Sequence, residues 1–237
     1  MSKKINKVIE GSGFLAKKFE KYSTFLKKKN VIIYAAGVSN SLSTNKLLFK
    51  KELNRFENFC KSNKKKLIYI STTSIYDNSR NKSRYIKNKI KIEKIIKKKV
   101  KDYLIMRLPE IVGHSKNPNT LVNFFYKRIK YKKKFFLYSK TKRNLLDVDD
   151  AIKICVYFIS INNKNQTINI LNKYFYRPIE IVKEIEKILK KRSNYKIIKK
   201  NSFNWYAKNS ITLKIERKNN LKFGKYYLQK ILKKYYK

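Results

Sequence analysis

The sequence predicts an α/β protein, a parallel sheet with helices packed on it, and three observations carry that prediction. Short apolar runs alternate with longer amphipathic segments through residues 7–109. The first run opens into a glycine turn, Gly11-Ser-Gly13, and the third, Leu67-Ile-Tyr-Ile70, ends in the hydroxyls of Ser71-Thr-Thr-Ser74. Strands of a parallel sheet are buried on both faces, so they read as unbroken apolar runs, and each needs a helical crossover to reach the next.

Lys7-Val-Ile-Glu10 predicts a short strand, Gly11-Ser-Gly13 a tight turn, and residues 14–26 a helix. Asn30-Val-Ile-Ile-Tyr-Ala-Ala-Gly37 is a second buried strand that ends in small residues. After a polar loop, Leu48, Phe49, Leu53, Phe56 and Phe59 recur at helical spacing and predict an amphipathic helix over residues 47–60. The third strand covers residues 66–70, and a helix bearing Tyr85 and Lys89 extends to residue 99. Asp102-Tyr-Leu-Ile-Met-Arg-Leu108 is a fourth strand, stopped by Pro109, which has no N–H for a ladder. Beyond Gly113 the pattern loosens: helix over 121–129, strand over 134–138, helix over 149–159 and strand over 165–171. A helix follows over 178–191 with proline at its start, then a basic, aromatic stretch with a terminal helix after Gly224.

Composition narrows the function classes. With 42% hydrophobic and 14% aromatic residues among 237, the chain has material for a core and does not read as disordered. No apolar run approaches the ~20 residues of a membrane span, and the first residues lack the apolar stretch of a secretory signal. Cys60 and Cys155 are the only cysteines and His114 the only histidine. A disulfide framework, a multi-histidine metal site and a histidine triad are therefore excluded, no metal is expected, and a reducing, cytoplasmic setting fits. The formal charge of +46 raises nucleic-acid binding. However, the lysines run from Lys3 to Lys237 rather than forming one arm, and they accompany abundant Asn, Ile, Tyr and Phe with only 5 Gly and 3 Pro. That joint bias is what AT-rich codons produce. No specific nucleic-acid partner is expected, while a positive field suits a phosphorylated substrate.

Two local patterns carry chemistry. Tyr85-Ile-Lys-Asn-Lys89 puts a phenol and an ammonium one helical turn apart on one face. A neighbouring cation favours the phenolate, which makes such a phenol a usable acid or base near neutral pH. In so lysine-rich a chain the spacing also arises by chance, and its setting gives it weight. Gly11-Ser-Gly13-Phe-Leu-Ala16 is a G-x-G-x-x-A turn between strand and helix: one glycine for the turn, one for close approach of a pyrophosphate, and a small residue for helix–strand packing. Alone, it also reads as an ordinary tight turn.

Taken in order, the landmarks are Gly11-Ser-Gly-Phe-Leu-Ala16, Tyr34-Ala-Ala-Gly37, Ile70-Ser-Thr-Thr-Ser-Ile-Tyr76, Tyr85-x-x-x-Lys89-x-x-x-Glu93, Arg107-Leu-Pro-Glu-Ile-Val-Gly113, Arg143-Asn-Leu-Leu-Asp-Val-Asp-Asp150 and Thr167-Ile-Asn-Ile170. The chain resembles the NAD-dependent epimerase/dehydratase family, the extended short-chain dehydrogenase/reductases that act on nucleotide sugars. The resemblance implies a Rossmann-like parallel sheet flanked by helices, NAD or NADP as cofactor and a nucleotide sugar as substrate. By position, Thr72 matches the family's catalytic hydroxyl. Tyr85 matches the acid/base that exchanges a proton with the sugar while hydride moves to or from the nicotinamide, and Lys89 the lysine that binds the nicotinamide ribose and lowers the phenol's pKa. Gly11, Gly13, Phe14, Leu15, Ala35, Ala36, Gly37 and Pro109 would line the cofactor with Tyr85 and Lys89. Arg143 resembles the arginine that pairs with the nucleotide diphosphate, a bidentate task suited to guanidinium, and Thr72 and Asn119 join it as substrate contacts. Asp149 and Asp150 are expected to cap the helix that follows them.

The chain also departs from the family. Only residues 17–29 separate the glycine turn from the Ala-Ala-Gly strand, so the sheet is trimmed by about two βα units, and the strand that reads the adenosine ribose is missing. The choice between NAD and NADP stays open. Asp77 and Glu110 stand where glycine and asparagine are common, and His114 follows Gly113 as a loop residue. Thr73-Ser74 replaces the Asp-Glu pair of the family's dehydratases, which disfavours dehydration and leaves a C4 epimerase or a ketoreductase, in surface-polysaccharide synthesis. The expected organisation is an NAD(P)-binding domain over 1–165 and a small C-terminal substrate-side lobe over 166–237, interleaved as one folding unit. The family often pairs through a four-helix interface that includes the Tyr-Lys helix, so a homodimer is the partner arrangement implied. Two alternatives stay open: a non-enzymatic binding protein on the same fold, and a basic nucleic-acid-binding protein.

Overall fold

The computed structural model describes residues 7–77, 82–161, 164–199, 207–211 and 213–237. Along the chain run β1 (Ile9–Glu10), α1 (Phe14–Phe19), α2 (Ser23–Lys28), β2 (Val31–Tyr34), α3 (Lys46–Ser62), β3 (Lys66–Thr72), α4 (Arg84–Lys99), β4 (Tyr103–Leu108) and β5 (Glu110–Val112). The second half adds α5 (Leu121–Lys130), β6 (Phe135–Tyr138), β7 (Leu145–Asp147), α6 (Val148–Ser160), β8 (Gln166–Asn169), α7 (Pro178–Leu189), β9 (Tyr195–Ile198), α8 (Leu213–Lys218) and α9 (Tyr227–Tyr236).

The main sheet has five parallel strands in the order β1-β2-β3-β4-β8. Its central strands are buried along their whole length in β2 and β3. The period-2 alternation of a strand sorts their side chains between two cores. Ile33, Ile68, Leu104 and Met106 face the larger core with α1 and α6. Tyr34, Leu67, Tyr69 and Ile105 face the smaller one under Phe56, Ile92 and Ile96 of α3 and α4. In the latter, Tyr34 meets Phe56 edge-on at 4.9 Å between ring centroids. Among the described residues β1 pairs with β2 alone and forms the sheet edge, as the missing βα units require.

Two further parallel pairs, β5 with β7 and β6 with β9, were not predicted in full: β5, β7 and β9 are absent from the sequence reading, as is α8. The expectation for Asp149 and Asp150 also needs correction. The residue that caps α6 is Asp147, whose Oδ1 accepts the N–H groups of Asp149 at 2.7 Å and Asp150 at 3.3 Å. Pairing of Asp147 with Val112 ends β7 at that residue, so the helix begins one step earlier than the acidic pair.

The freed aspartates instead hold the C-terminal helix. Tyr227 of α9 donates to Asp150 Oδ2 at 2.9 Å, and Lys234 reaches Asp147 at 3.0 Å and Asp149 at 2.8 Å. Partial burial works against ionisation of Asp149, yet Lys18 and Lys234 outweigh it and bring its carboxyl down to about 2. A carboxyl with a depressed folded-state pKa stabilises the fold above its unfolded value of ~3.9, and that contribution is lost as pH falls. The protection factors of the α9 amides should therefore fall as pH drops from about 4 towards about 2. Lys234→Ala should shrink this step, the Lys18 contact remaining; an unchanged step in that variant would assign it to other carboxylates.

Candidate active site

The C-terminal ends of the parallel strands converge on one side of the sheet, where ligands bind in open α/β folds. Thr72 is the last residue of β3, and its Oγ1 accepts the Ser74 N–H at 3.1 Å, which starts a 3-10 turn over Thr73–Tyr76. Tyr85 lies half-buried in the first turn of α4. Both line a cavity of about 650 Å³ together with Ser74, Pro109, Asn119 and Arg143. Four residues singled out from sequence for chemistry or substrate, and Pro109 from the cofactor set, thus share one cavity.

Lys89 lies behind it, 5% exposed. Its Nζ is 3.3 Å from Glu52 Oε1, with the Tyr69 and Tyr85 ring centroids at 5.4 and 5.6 Å. Burial disfavours charge on this lysine, but Tyr69, Tyr85 and Glu52 more than offset it and hold its pKa above the ordinary value. Glu52 was not singled out from sequence. Its signal was an acid on the buried stripe of α3, between Phe49 and Phe56.

At the glycine turn, Gly11 has φ +130, and a Cβ there would lie 2.6 Å from the Ala35 carbonyl oxygen. Ala35 N–H in turn donates to Glu10 O at 2.8 Å, so β1 and β2 end side by side. A Cβ on Gly13 would meet nothing within 4 Å. Phe14 packs its ring towards Gly113 and Val148, and Leu15 against the larger core. Gly11, Gly13, Phe14, Leu15, Ala35, Ala36, Gly37 and Lys89 are not among the residues lining the cavity.

Arg143 is bracketed by acids: its Nη1 is 3.7 Å from both Asp77 Oδ2 and Glu110 Oε1. Its Nε is buried without a hydrogen-bond partner among the described residues. Its backbone is fixed by mutual 2.8 Å bonds with Tyr176. Next to it the buried Asn144 amide clasps the Asn172 backbone, donating to its carbonyl at 2.6 Å and accepting its N–H at 3.0 Å. Asn119, in an exposed loop, donates its N–H to Asn117 Oδ1 at 2.9 Å. His114 is exposed and stacks edge-on against Tyr235, 5.0 Å between centroids.

A buried polar ladder ties α4 to the sheet behind Thr72. Glu93 of α4 accepts from Ser71 Oγ at 2.6 Å and from Arg107 Nε at 3.0 Å. Arg107 also donates to the Tyr76 hydroxyl, which donates to Asn169 Oδ1 at 3.0 Å. Burial alone would lower the guanidinium's pKa; Glu93 and Tyr76 raise it above its usual value.

This is a Rossmann-like α/β fold with its cavity at the strand ends. The model of the NAD dependent epimerase/dehydratase family matches residues 17–170, and the chain belongs to that family. A search of curated proteins finds no match. Among solved structures, the chain is similar to MoeE5 in complex with UDP-glucuronic acid and NAD, at TM-score 0.72 and 10% identity over 97% of each chain. It is similar to UDP-N-acetylglucosamine 4-epimerase from Bacillus cereus, at TM-score 0.66 and 16% identity over 95% of this chain and 96% of that one. RMD from Pseudomonas aeruginosa complexed with NADPH gives TM-score 0.64 and 14% identity over 95% and 96%. At these identities the likeness speaks for the fold. No described helix is long and apolar enough to cross a membrane.

Proposed function

We propose that this chain is an NAD(P)-dependent nucleotide-sugar oxidoreductase, a C4 epimerase or a ketoreductase, that serves surface-polysaccharide synthesis. The observation that carries the reading is the shared cavity of Thr72, Tyr85, Pro109 and Arg143. In this reading residues 1–165 bind the dinucleotide and residues 166–237 cover the substrate side. The setting is cytoplasmic, in keeping with unbridged Cys60 and Cys155.

The residues present fit a dinucleotide at two of its three parts. Open space above Gly13 admits a pyrophosphate to the turn, and Ala35 and Ala36 put only methyl groups at the end of β2. Pro109, Tyr85 and Lys89 would hold the nicotinamide end. The adenosine ribose lacks a dedicated side chain, because β1 is the sheet edge among the described residues. A bound nicotinamide supplies hydride exchange at the sugar carbon. Tyr85 exchanges the proton on the sugar oxygen, and Thr72 hydrogen-bonds that oxygen and orients it. Arg143 leaves Asp77 and Glu110 to pair with the diphosphate. Dehydration is disfavoured, since Thr73 and Ser74 stand where an acid pair would be needed and Thr73 is engaged with the Leu108 carbonyl at 3.4 Å.

The edge position of β1 also favours a second reading, a binding protein on the same fold with no effective cofactor site. Titration with NADH and NADPH separates the two. The enzyme reading expects both to bind, with affinities within about tenfold of each other (~1.4 kcal/mol), because no side chain reads the ribose 2′ position. Turnover of UDP- or dTDP-linked sugars should follow. Binding of neither cofactor at millimolar concentration would sink the enzyme reading.

A further inference from the structure

We infer that Glu52 is the positioning residue for Lys89, fixing its ammonium between Gly37 and Tyr85 and tying it to the loop that follows β2. The inference rests on the proposed function only where activity is read.

The two side chains meet between α3 and α4 on the smaller core, with 1% of Glu52 and 6% of Lys89 exposed. A carboxylate on an apolar helix stripe is costly to bury unless it is paired and hydrogen-bonded. Glu52 has both: Lys89 Nζ at 3.3 Å on Oε1 and the Val38 N–H at 3.1 Å on Oε2. A Cβ built on Gly37 would lie 2.3 Å from that Nζ and 2.8 Å from that Oε1. A side chain at position 37 would therefore displace the ion pair from its present place. One carboxylate thereby sets the place of the lysine and of the Gly37–Val38 backbone.

The groups facing the pair are few. Tyr69 from β3 and Tyr85 from α4 flank Lys89, while Tyr34 from β2 and Arg55 from α3 lie towards Glu52, Arg55 capping the Ala36 carbonyl. Among the described residues, Tyr69 and Tyr85 and then the Glu52 carboxylate favour charge on Lys89. Without it the lysine should lose its proton more easily. Glu52→Gln keeps the side-chain shape and an acceptor for Val38 but removes the countercharge.

The test reads the apo protein first. With lysine labelled at 13Cε, NMR titration follows the Lys89 signal, assigned by its loss in Lys89→Met. Wild-type Lys89 should stay charged past the ordinary lysine value of ~10.4, and Glu52→Gln should titrate at least about one unit lower. Glu52→Asp should recover part of the shift. In turnover, Glu52→Gln should raise the cofactor KM and move the alkaline limb of the pH profile down by a similar amount. Should Glu52→Gln fold poorly, the double variant Glu52→Gln/Lys89→Met keeps the test open, because removing both partners should destabilise less than removing one. An unchanged Lys89 titration, or strictly additive stability losses, would overturn the assignment. A shifted titration in a protein that binds no dinucleotide would uphold the pairing and refute the proposed function.

Discussion

Tyr85→Phe should lower kcat by ~10²- to 10⁴-fold, the range that one positioned acid/base group supplies. The ring stays in place in this variant, so packing in the first turn of α4 and the 5.6 Å approach of Lys89 to the ring are both kept. The only loss is the hydroxyl of a half-buried residue at the wall of the cavity that Thr72 and Arg143 also line. Stability should change within about 0.5 kcal/mol, as for substitutions that leave no buried group unpaired. Affinity for NADH should stay within about threefold of wild type (~0.65 kcal/mol), since the proposed cofactor site keeps the glycine turn and Lys89 in this variant. Steady-state kinetics, cofactor titration and urea unfolding read the three quantities separately. A Tyr85→Phe enzyme with wild-type kcat would remove Tyr85 from the chemistry and leave Thr72 without its partner.

The parts of the fold that could be read from sequence are those whose signal is local. β2, β3 and β4 are buried on both faces, so each shows as an apolar run with a clear end. The stripe Phe49, Phe56 and Phe59 marks α3, and the β1 turn carries its glycines on its face. β5, β7 and β9 fail for a physical reason. Three or four residues cannot display a period, and each becomes a strand only through a partner distant in sequence, as Glu110 does with Leu145 and Phe135 with Tyr195. The cap of α6 shows the same limit at one-residue scale. Asp147, Asp149 and Asp150 are equally good caps in isolation, and the pairing of β7 with β5 decides among them. At the candidate site, Thr72, Tyr85 and Arg143 were singled out by their order along the chain, and they line one cavity. The charges that hold Lys89 and Arg143 could not. Glu52 meets Lys89 across two helices, and Asp77 and Glu110 meet Arg143 across a sheet edge, so only the tertiary fold brings them together.

The largest stability loss is expected from breaking the Glu93–Arg107 pair. Glu93 is 5% exposed and Arg107 14%, and between them they engage Ser71, Tyr76 and, through Tyr76, Asn169. Glu93→Ala would leave a largely buried guanidinium without its countercharge and Ser71 without its acceptor, at a cost of about 3–5 kcal/mol. For a chain of this size that corresponds to a fall in Tm of roughly 6–20 °C. Replacing both residues by apolar ones of similar volume, Glu93→Leu with Arg107→Met, should cost far less, since no charge is then stranded. A double-mutant cycle in urea therefore separates a true pair from two independent contributions, which would each cost less than about 1 kcal/mol and add. The ladder also bears on chemistry. It joins α4 to β3, β4 and β8 directly behind Thr72, so Glu93→Ala frees the helix that sets where Tyr85 stands. Activity should fall further than unfolding alone explains at temperatures where the variant remains folded. A variant with fully native kcat well below its own Tm would show that the ladder stabilises the sheet without aligning Tyr85.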